Sequence, residues 1–311
     1  MNIVSHGINF HYFHDKDNYL KCQGSLTADE LEKLIIFIKR KSSLLNADEY
    51  LDAFRKNRLK GNEVCLTFDD GVKSQLIAAD VIKQFGLTAF FFVNTGYFDG
   101  DYPKVEIYHD FRFLKYETVD DFYDDFFALY RLKSEEYDVE RFEMIDSSAY
   151  LPNSPWHTPN DRLFRYIRDV ILGQKKYDNL MELLMLKKKY FLAERIDRLW
   201  LNENDLKSIS DCGNIIGMHT HTHPTTINTM PYENQKKEYE KNYHFITRII
   251  GESPCTMSHP SGKYNKAVVN NILDELGISL GFQAHITGSI SKYCMPRLNH
   301  TEVLKEMDNN I

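Results

Sequence analysis

A chain of 311 residues, 42% hydrophobic and 27% charged, is long enough to bury one large core or two ordinary ones and too apolar for disorder to be its main state. Its 45 acidic and 38 basic residues leave a formal charge of -7, which removes the broad positive field that sequence-independent nucleic-acid binding needs. The longest uncharged apolar-rich stretch, Leu87 to Phe98, falls short of the roughly 18 to 20 residues that span a bilayer, and Met1 to Asp17 lacks the basic-then-apolar order of a signal peptide. No transmembrane segment and a cytoplasmic address are therefore expected.

In chain order, an extended segment is expected around Asn9 to Phe13. Thr27 and Glu30 then form a capping box ahead of Leu31, Leu34, Ile35 and Ile38 at helical spacing. Val64, Leu66 and Phe68 alternate as in a strand, Leu76 to Phe85 reads as a helix stopped at Gly86, and Thr88 to Val93 as a second strand, which together make a βαβ unit. The pattern resumes with a helix near Glu203 to Ile209, a strand at Ile215 to His219, a helix from Glu233 to Ile250, a short strand by Thr256 and a helix near Lys266 to Leu276. Alternation of this kind implies a parallel α/β sheet or barrel. Between residues 101 and 205 the character changes to charged helical stretches, such as Asp120 to Tyr130 and Met181 to Leu192, with a proline-rich turn at Leu151 to Pro159. This region is read as a helical insertion within one catalytic domain spanning the chain. The five cysteines are scattered without CxxC spacing, so reduced thiols are expected and none enters the chemistry.

Two constellations carry the chemistry. Thr67-Phe68-Asp69-Asp70-Gly71 ends an apolar strand in adjacent carboxylates, at the strand end where parallel α/β folds bind ligands. Adjacent carboxylates repel unless a cation or a shared proton divides their roles, which suits one as metal ligand and one as general base; a solvated Asp-Asp-Gly turn is the structural alternative. Gly217-Met218-His219-Thr220-His221-Thr222-His223-Pro224 places three alternate imidazoles after a strand, and two imidazoles with one carboxylate suit zinc with an open position for water. His219 and His223 are the favoured pair, with His221 turned away.

These segments resemble the two leading motifs of the polysaccharide deacetylase family, carbohydrate esterase family four. The resemblance implies Asp69 as catalytic base and Asp70, His219 and His223 as ligands of one divalent ion, zinc being the expected one. Met257-Ser258-His259-Pro260-Ser261-Gly262-Lys263-Tyr264-Asn265 resembles the third motif without its usual arginine, and Pro296-Arg297-Leu298-Asn299-His300 resembles a late Pro-Arg-x-Asp segment. On that basis Arg297 is expected to orient Asp69, Ser261 to supply an oxyanion N–H, and Ser261 and Tyr264 to line the substrate site. The family's late Leu-x-x-x-His segment is missing before Ile311, which leaves His300 and His259 as candidates for the general acid. His11, His14 and His109 lie in aromatic runs where packing is the simpler account, and Tyr97, Phe98, Trp200 and Tyr264 are read as a sugar-stacking floor or as core.

The resemblance implies a distorted (β/α)7 deacetylase-type barrel and a metal-dependent hydrolase that removes an N-acetyl group from a small amino sugar or sugar conjugate in surface-polysaccharide assembly. Deformylation or hydrolysis of a non-sugar amide by the same site is the enzymatic alternative, and a silent carbohydrate-binding protein with a structural metal is the alternative from another class. The insertion, leaving after the strand that ends near Asn94, is expected to cover the site and to exclude long polymers.

Overall fold

The computed structural model describes residues 5–151, 158–284 and 290–309, so most of the proline-rich turn expected at Leu151 to Pro159 lies outside the described residues. The chain divides into two compact units, one made of residues up to Val105 and from Asp197 onward, the other of Glu106–Ile196.

The first unit begins with β1 (His6–Phe10), α1 (Ala28–Lys41), β2 (Ser43–Leu44), α2 (Ala47–Arg55), β3 (Glu63–Phe68), α3 (Gln75–Gln84) and β4 (Phe90–Val93). The insertion carries α4 (Lys104–Lys115), α5 (Val119–Lys133), α6 (Pro159–Tyr166) and α7 (Gly173–Lys187). The chain then continues through α8 (Ile196–Leu199), α9 (Glu203–Asp211), β5 (Ile215–Met218), α10 (Tyr232–Ile250), β6 (Thr256–Ser258), α11 (Lys266–Glu275), β7 (Leu280–Phe282), β8 (Arg297–Asn299) and α12 (His300–Asp308).

Seven strands follow one another in the order β7-β6-β5-β4-β3-β1-β8, all parallel, with β2 paired to β3 beside this path. The two ends of the path meet where Phe282 bridges Met295, two residues ahead of β8, so the sheet rolls into a nearly closed barrel. Both faces of such strands are buried, which is why β3 and β4 read as near-continuous apolar runs. The outward side chains Ile8, Leu66, Phe68, Phe91 and Val93 join the apolar faces of α1, α3, α9 and α10 in the main core. The inward Cys65, Phe90, Phe92, Leu280 and Phe282 form a second cluster with Ala47, Tyr50 and Leu51 of α2. Tyr50 stacks on Phe282 and meets Phe90 edge-on, so α2 plugs the barrel.

The extended segment expected at Asn9 to Phe13 is displaced. The strand is His6–Phe10, and Phe13 makes only an isolated bridge to Leu26. The polar look of this strand has a cause inside the barrel, where Arg297 of β8 lies against it. A Cβ on Gly7 would come within 3.0 Å of the Arg297 Cγ, and Asn9 accepts from the guanidinium at 3.2 Å.

The unit Glu106–Ile196 has its own aromatic core. Phe164 of α6 sits 5.4 Å from Phe122 and 4.9 Å from Phe126 of α5, with Tyr177 of α7 closing the group. Buried tyrosine hydroxyls need partners, and Tyr108 donates to Asp178 at 2.7 Å and Tyr123 to Asp161 at 2.9 Å. No helix among the described residues is long and apolar enough to cross a membrane.

Candidate active site

The register of the barrel assembles the site. Phe68 of β3 pairs with Phe10 of β1 and Phe91 of β4, so the residues that follow them emerge at one rim. The Asp69 N–H extends the ladder to the Phe10 carbonyl, and then Asp70 and Gly71 both turn left-handed, at φ 74° and 63°. A left-handed aspartate costs on the order of 1 kcal/mol and persists where packing over-determines it. Here it sends the two carboxylates to different partners. Gly71 has no room for a side chain either, since a Cβ would meet Val93 at 3.1 Å.

Asp69 faces Arg297, which is 1% exposed. The guanidinium grips the carboxylate at 2.8 Å from Nη1 to Oδ1 and 2.6 Å from Nη2 to Oδ2. Its remaining donors reach the Gln283 carbonyl, Asn9, Thr67 and Ser258, so a buried cation is fully satisfied. Burial raises the Asp69 carboxyl, but the adjacent guanidinium, with His219, overrides burial and holds it below its ordinary value. Asp69 is therefore a charged acceptor at neutral pH.

Asp70 faces two imidazoles. Its Oδ1 lies 3.3 Å from Nε2 of His219 and 3.5 Å from Nε2 of His223, and all three side chains are buried. The Nδ1 of His219 is 2.9 Å from the Ser258 carbonyl, which only accepts, so Nδ1 carries the hydrogen and the Nε2 lone pair is aimed at Asp70. Burial lowers His223 to about 4, leaving it a neutral imidazole. Burial opposes ionisation of Asp70, yet its imidazole neighbours, His219 foremost, outweigh burial and keep its carboxyl well below the usual range. A carboxylate oxygen and two imidazole nitrogens within ligand reach of a common point form a donor set that suits a divalent cation.

A polysaccharide deacetylase family model matches residues 176–281, the part of the chain that holds the histidine loop and the third motif. Three solved structures share the architecture. They are the Streptococcus pyogenes deacetylase PplD in complex with acetate (14% identity, 99% of each chain, TM-score 0.55), IcaB from Ammonifex degensii (13% identity, 95% of this chain and 90% of that one, TM-score 0.53) and a de-N-acetylase from Aggregatibacter actinomycetemcomitans (12% identity, 97% and 98%, TM-score 0.55). This chain has the polysaccharide deacetylase fold. No curated protein sequence matches it. The family match and the shared fold support a hydrolase of the carbohydrate deacetylase type.

The histidine loop of this deacetylase-like barrel is held by one face of α10. Asn242 accepts from the His219 N–H, Glu238 accepts from the Thr222 N–H and hydroxyl, and Phe245 stacks on His221 at 5.5 Å. His221 points away from Asp70. Its Nδ1 pairs with Thr95, and its Nε2 lies 3.2 Å from Asp99 and 3.5 Å from Asp101, a group into which Lys241 already places its ammonium.

The two candidates for a proton donor are occupied elsewhere. His300 stacks on Phe10 and directs its ring nitrogens at the Asn9 and Gly24 carbonyls. His259 is buried beneath Tyr264, with Nε2 on the Tyr293 carbonyl, and burial lowers it to about 4. The imidazole that reaches the acidic pair is His11, which follows β1. Its Nε2 is 3.9 Å from Asp70 Oδ2, and its side chain is 30% exposed. His14 and His109 engage Ser25 and Phe113. Ser261 is exposed and left-handed at φ 53°, while Tyr264 is spent on its His259 stack and on Cys294. The other aromatics form no open floor. Trp200 is 3% exposed, between Tyr97 and Tyr102, and Phe98 packs on Phe245.

Proposed function

We propose that this chain is a metal-dependent hydrolase that removes an N-acyl group, acetyl first, from an amino-sugar substrate. The observation that carries the reading is a carboxylate kept ionised by a buried arginine directly beside a three-residue donor set. A structural metal site has no use for Asp69, which speaks against a silent binding protein.

Asp70, His219 and His223 would hold the ion, for which zinc fits a site of one oxygen and two nitrogens. When bound, such an ion would polarise the amide carbonyl and lower the pKa of water towards about 7. Asp69 removes the proton from the attacking water, held by Arg297 in the orientation to do so. The departing amine needs a proton, and His11, half-buried and facing the same rim, is the imidazole placed to give it.

Support for a sugar substrate comes from the polysaccharide deacetylase match and fold. We further propose a preference for small amino-sugar substrates over polymers, which the substrate panel decides. The test is release of acetate and formate from a panel of N-acyl amino sugars, oligomers and polymers, with the protein chelated and then reloaded with zinc. Metal-dependent acetate release, lost in Asp69→Asn at unchanged zinc content, is expected. Formate release alone would reassign the acyl group, and zinc binding without any hydrolysis would refute the reading.

A further inference from the structure

Ser258, the last residue of β6, touches both halves of the site. Its hydroxyl lies 3.2 Å from Asp69 Oδ2 and 2.8 Å from Arg297 Nη2, and its carbonyl takes the Nδ1–H of His219 at 2.9 Å. The side chain is fully buried. A hydroxyl has one proton, and the guanidinium can only donate, so the direction of each bond is fixed: Arg297 donates to Ser258 and Ser258 donates to Asp69. The oxygen it reaches is the one turned towards the donor set, since Asp69 Oδ2 is also the atom 3.9 Å from His219 Nε2.

We propose that Ser258 is a positioning residue that ties the proton-accepting carboxylate to the His219 arm of the metal site. Arg297 fixes the plane of the Asp69 carboxylate from behind. Ser258 adds the lateral constraint, and because its own backbone orients His219, a shift of β6 moves base and ligand together instead of apart. Pairing of β6 with β5 at Met257 and Met218, the residues before Ser258 and His219, keeps these two neighbours in step. Small displacements of a reacting group from its productive geometry cost up to about 100-fold in rate, so a second anchor on a general base has a kinetic purpose.

The role in turnover rests on the hydrolase reading above, and the test separates the two. In Ser258→Ala, kcat should fall about tenfold, with KM within twofold and zinc stoichiometry unchanged. Ser258→Thr, which keeps the hydroxyl, should recover most of the loss; if threonine does not fold, the alanine variant decides alone. A second readout needs no substrate. A double-mutant cycle of Ser258→Ala with Asp69→Asn in urea denaturation should show the two coupled by about fivefold or more in the unfolding constant. Additive effects in the cycle overturn the tie, and an alanine variant with wild-type kcat, or one whose loss falls in KM or zinc content, overturns the role in turnover. If the unmodified protein hydrolyses nothing while the cycle still shows coupling, the hydrolase reading fails and the tie stands.

Discussion

Arg297 and Asp69 form a buried ion pair whose removal from either side has a calculable consequence. In Arg297→Met the side-chain volume is nearly kept, but Asp69, itself 3% exposed, loses both close charge-assisted bonds, at 2.8 and 2.6 Å. Leaving one member of a buried pair uncompensated costs about 3 to 5 kcal/mol, a large part of the roughly 5 to 15 kcal/mol that stabilises a domain. Asp69→Asn should cost towards the lower end of that range, because its amide oxygen still accepts from one Nη group. The double variant should then be less destabilised than the sum of the singles by about 1.5 kcal/mol or more. Arg297→Lys keeps the charge without the fork and should fall between wild type and Arg297→Met. Urea denaturation followed by circular dichroism reads all four variants, and zinc content with acetate release reads the site. Additivity of the two single changes, or a fully active Arg297→Met, would refute the assignment of Arg297 as the group that holds the base.

Three further outcomes follow from the same geometry. His11→Asn should lower turnover on an N-acetyl amino sugar by about 100-fold or more, and by much less on an aryl acetate whose leaving group needs no proton; equal losses on both substrates would remove His11 from proton donation. Tyr50→Ala, which opens the plug against Phe90 and Phe282, should cost about 3 kcal/mol or more and lower the thermal midpoint without changing zinc stoichiometry. Burial lowers His259 from its ordinary value of 6.5 to about 4, so the unfolded chain takes up the proton first, and the stability His259 contributes is full above pH 6.5 and lost as pH falls towards 4. At about 1.4 kcal/mol per pH unit, the wild-type stability curve minus that of His259→Met should fall by about 3 kcal/mol across that window; a flat difference would show that the ring is not held neutral.

The legible parts of the fold were those where local pattern and tertiary need coincide. The α1 capping box forms as spelled, with Thr27 and Glu30 each satisfying the other's backbone, and the four residues at helical spacing are all buried. The βαβ unit of β3, α3 and β4 is equally plain, because strands covered on both faces are mostly apolar, with only Glu63 and Thr67 polar in β3 and none in β4. The elements that close the barrel are hidden for the opposite reason. β7 is three residues with Gly281 at its centre, since a Cβ there would strike the Tyr293 backbone at 2.7 Å. β8 is Arg-Leu-Asn, polar because its arginine belongs inside. Strands this short show no period, and only pairing with a distant neighbour defines them.

In the site, the residues carried by adjacent-letter motifs could be named in advance, and the one that depends on register could not. Asp69 with Asp70, and His219 with His223, announce themselves as pairs within a few residues. His11 stands in a run of aromatics, and nothing local separates it from His14 three residues later. What separates them is the parallel pairing of β1 with β3, which sets Phe10 level with Phe68 and so delivers His11 to the height of Asp69 across more than fifty residues of chain. A second signal exists in the backbone. Among the described residues of the barrel unit five non-glycine residues are left-handed, and apart from Asn57, which follows α2, they are Asp70, Thr220, His223 and Ser261, all in the loops that build the site. Glycine would relieve that strain at each position, but at Asp70 and His223 it would also delete a member of the proposed donor set. On the proposed reading the chain accepts the strained backbone because the side chain is the part that would function, and the hydrogen bonds to α10 and the grip of Arg297 on neighbouring Asp69 hold the loops in place.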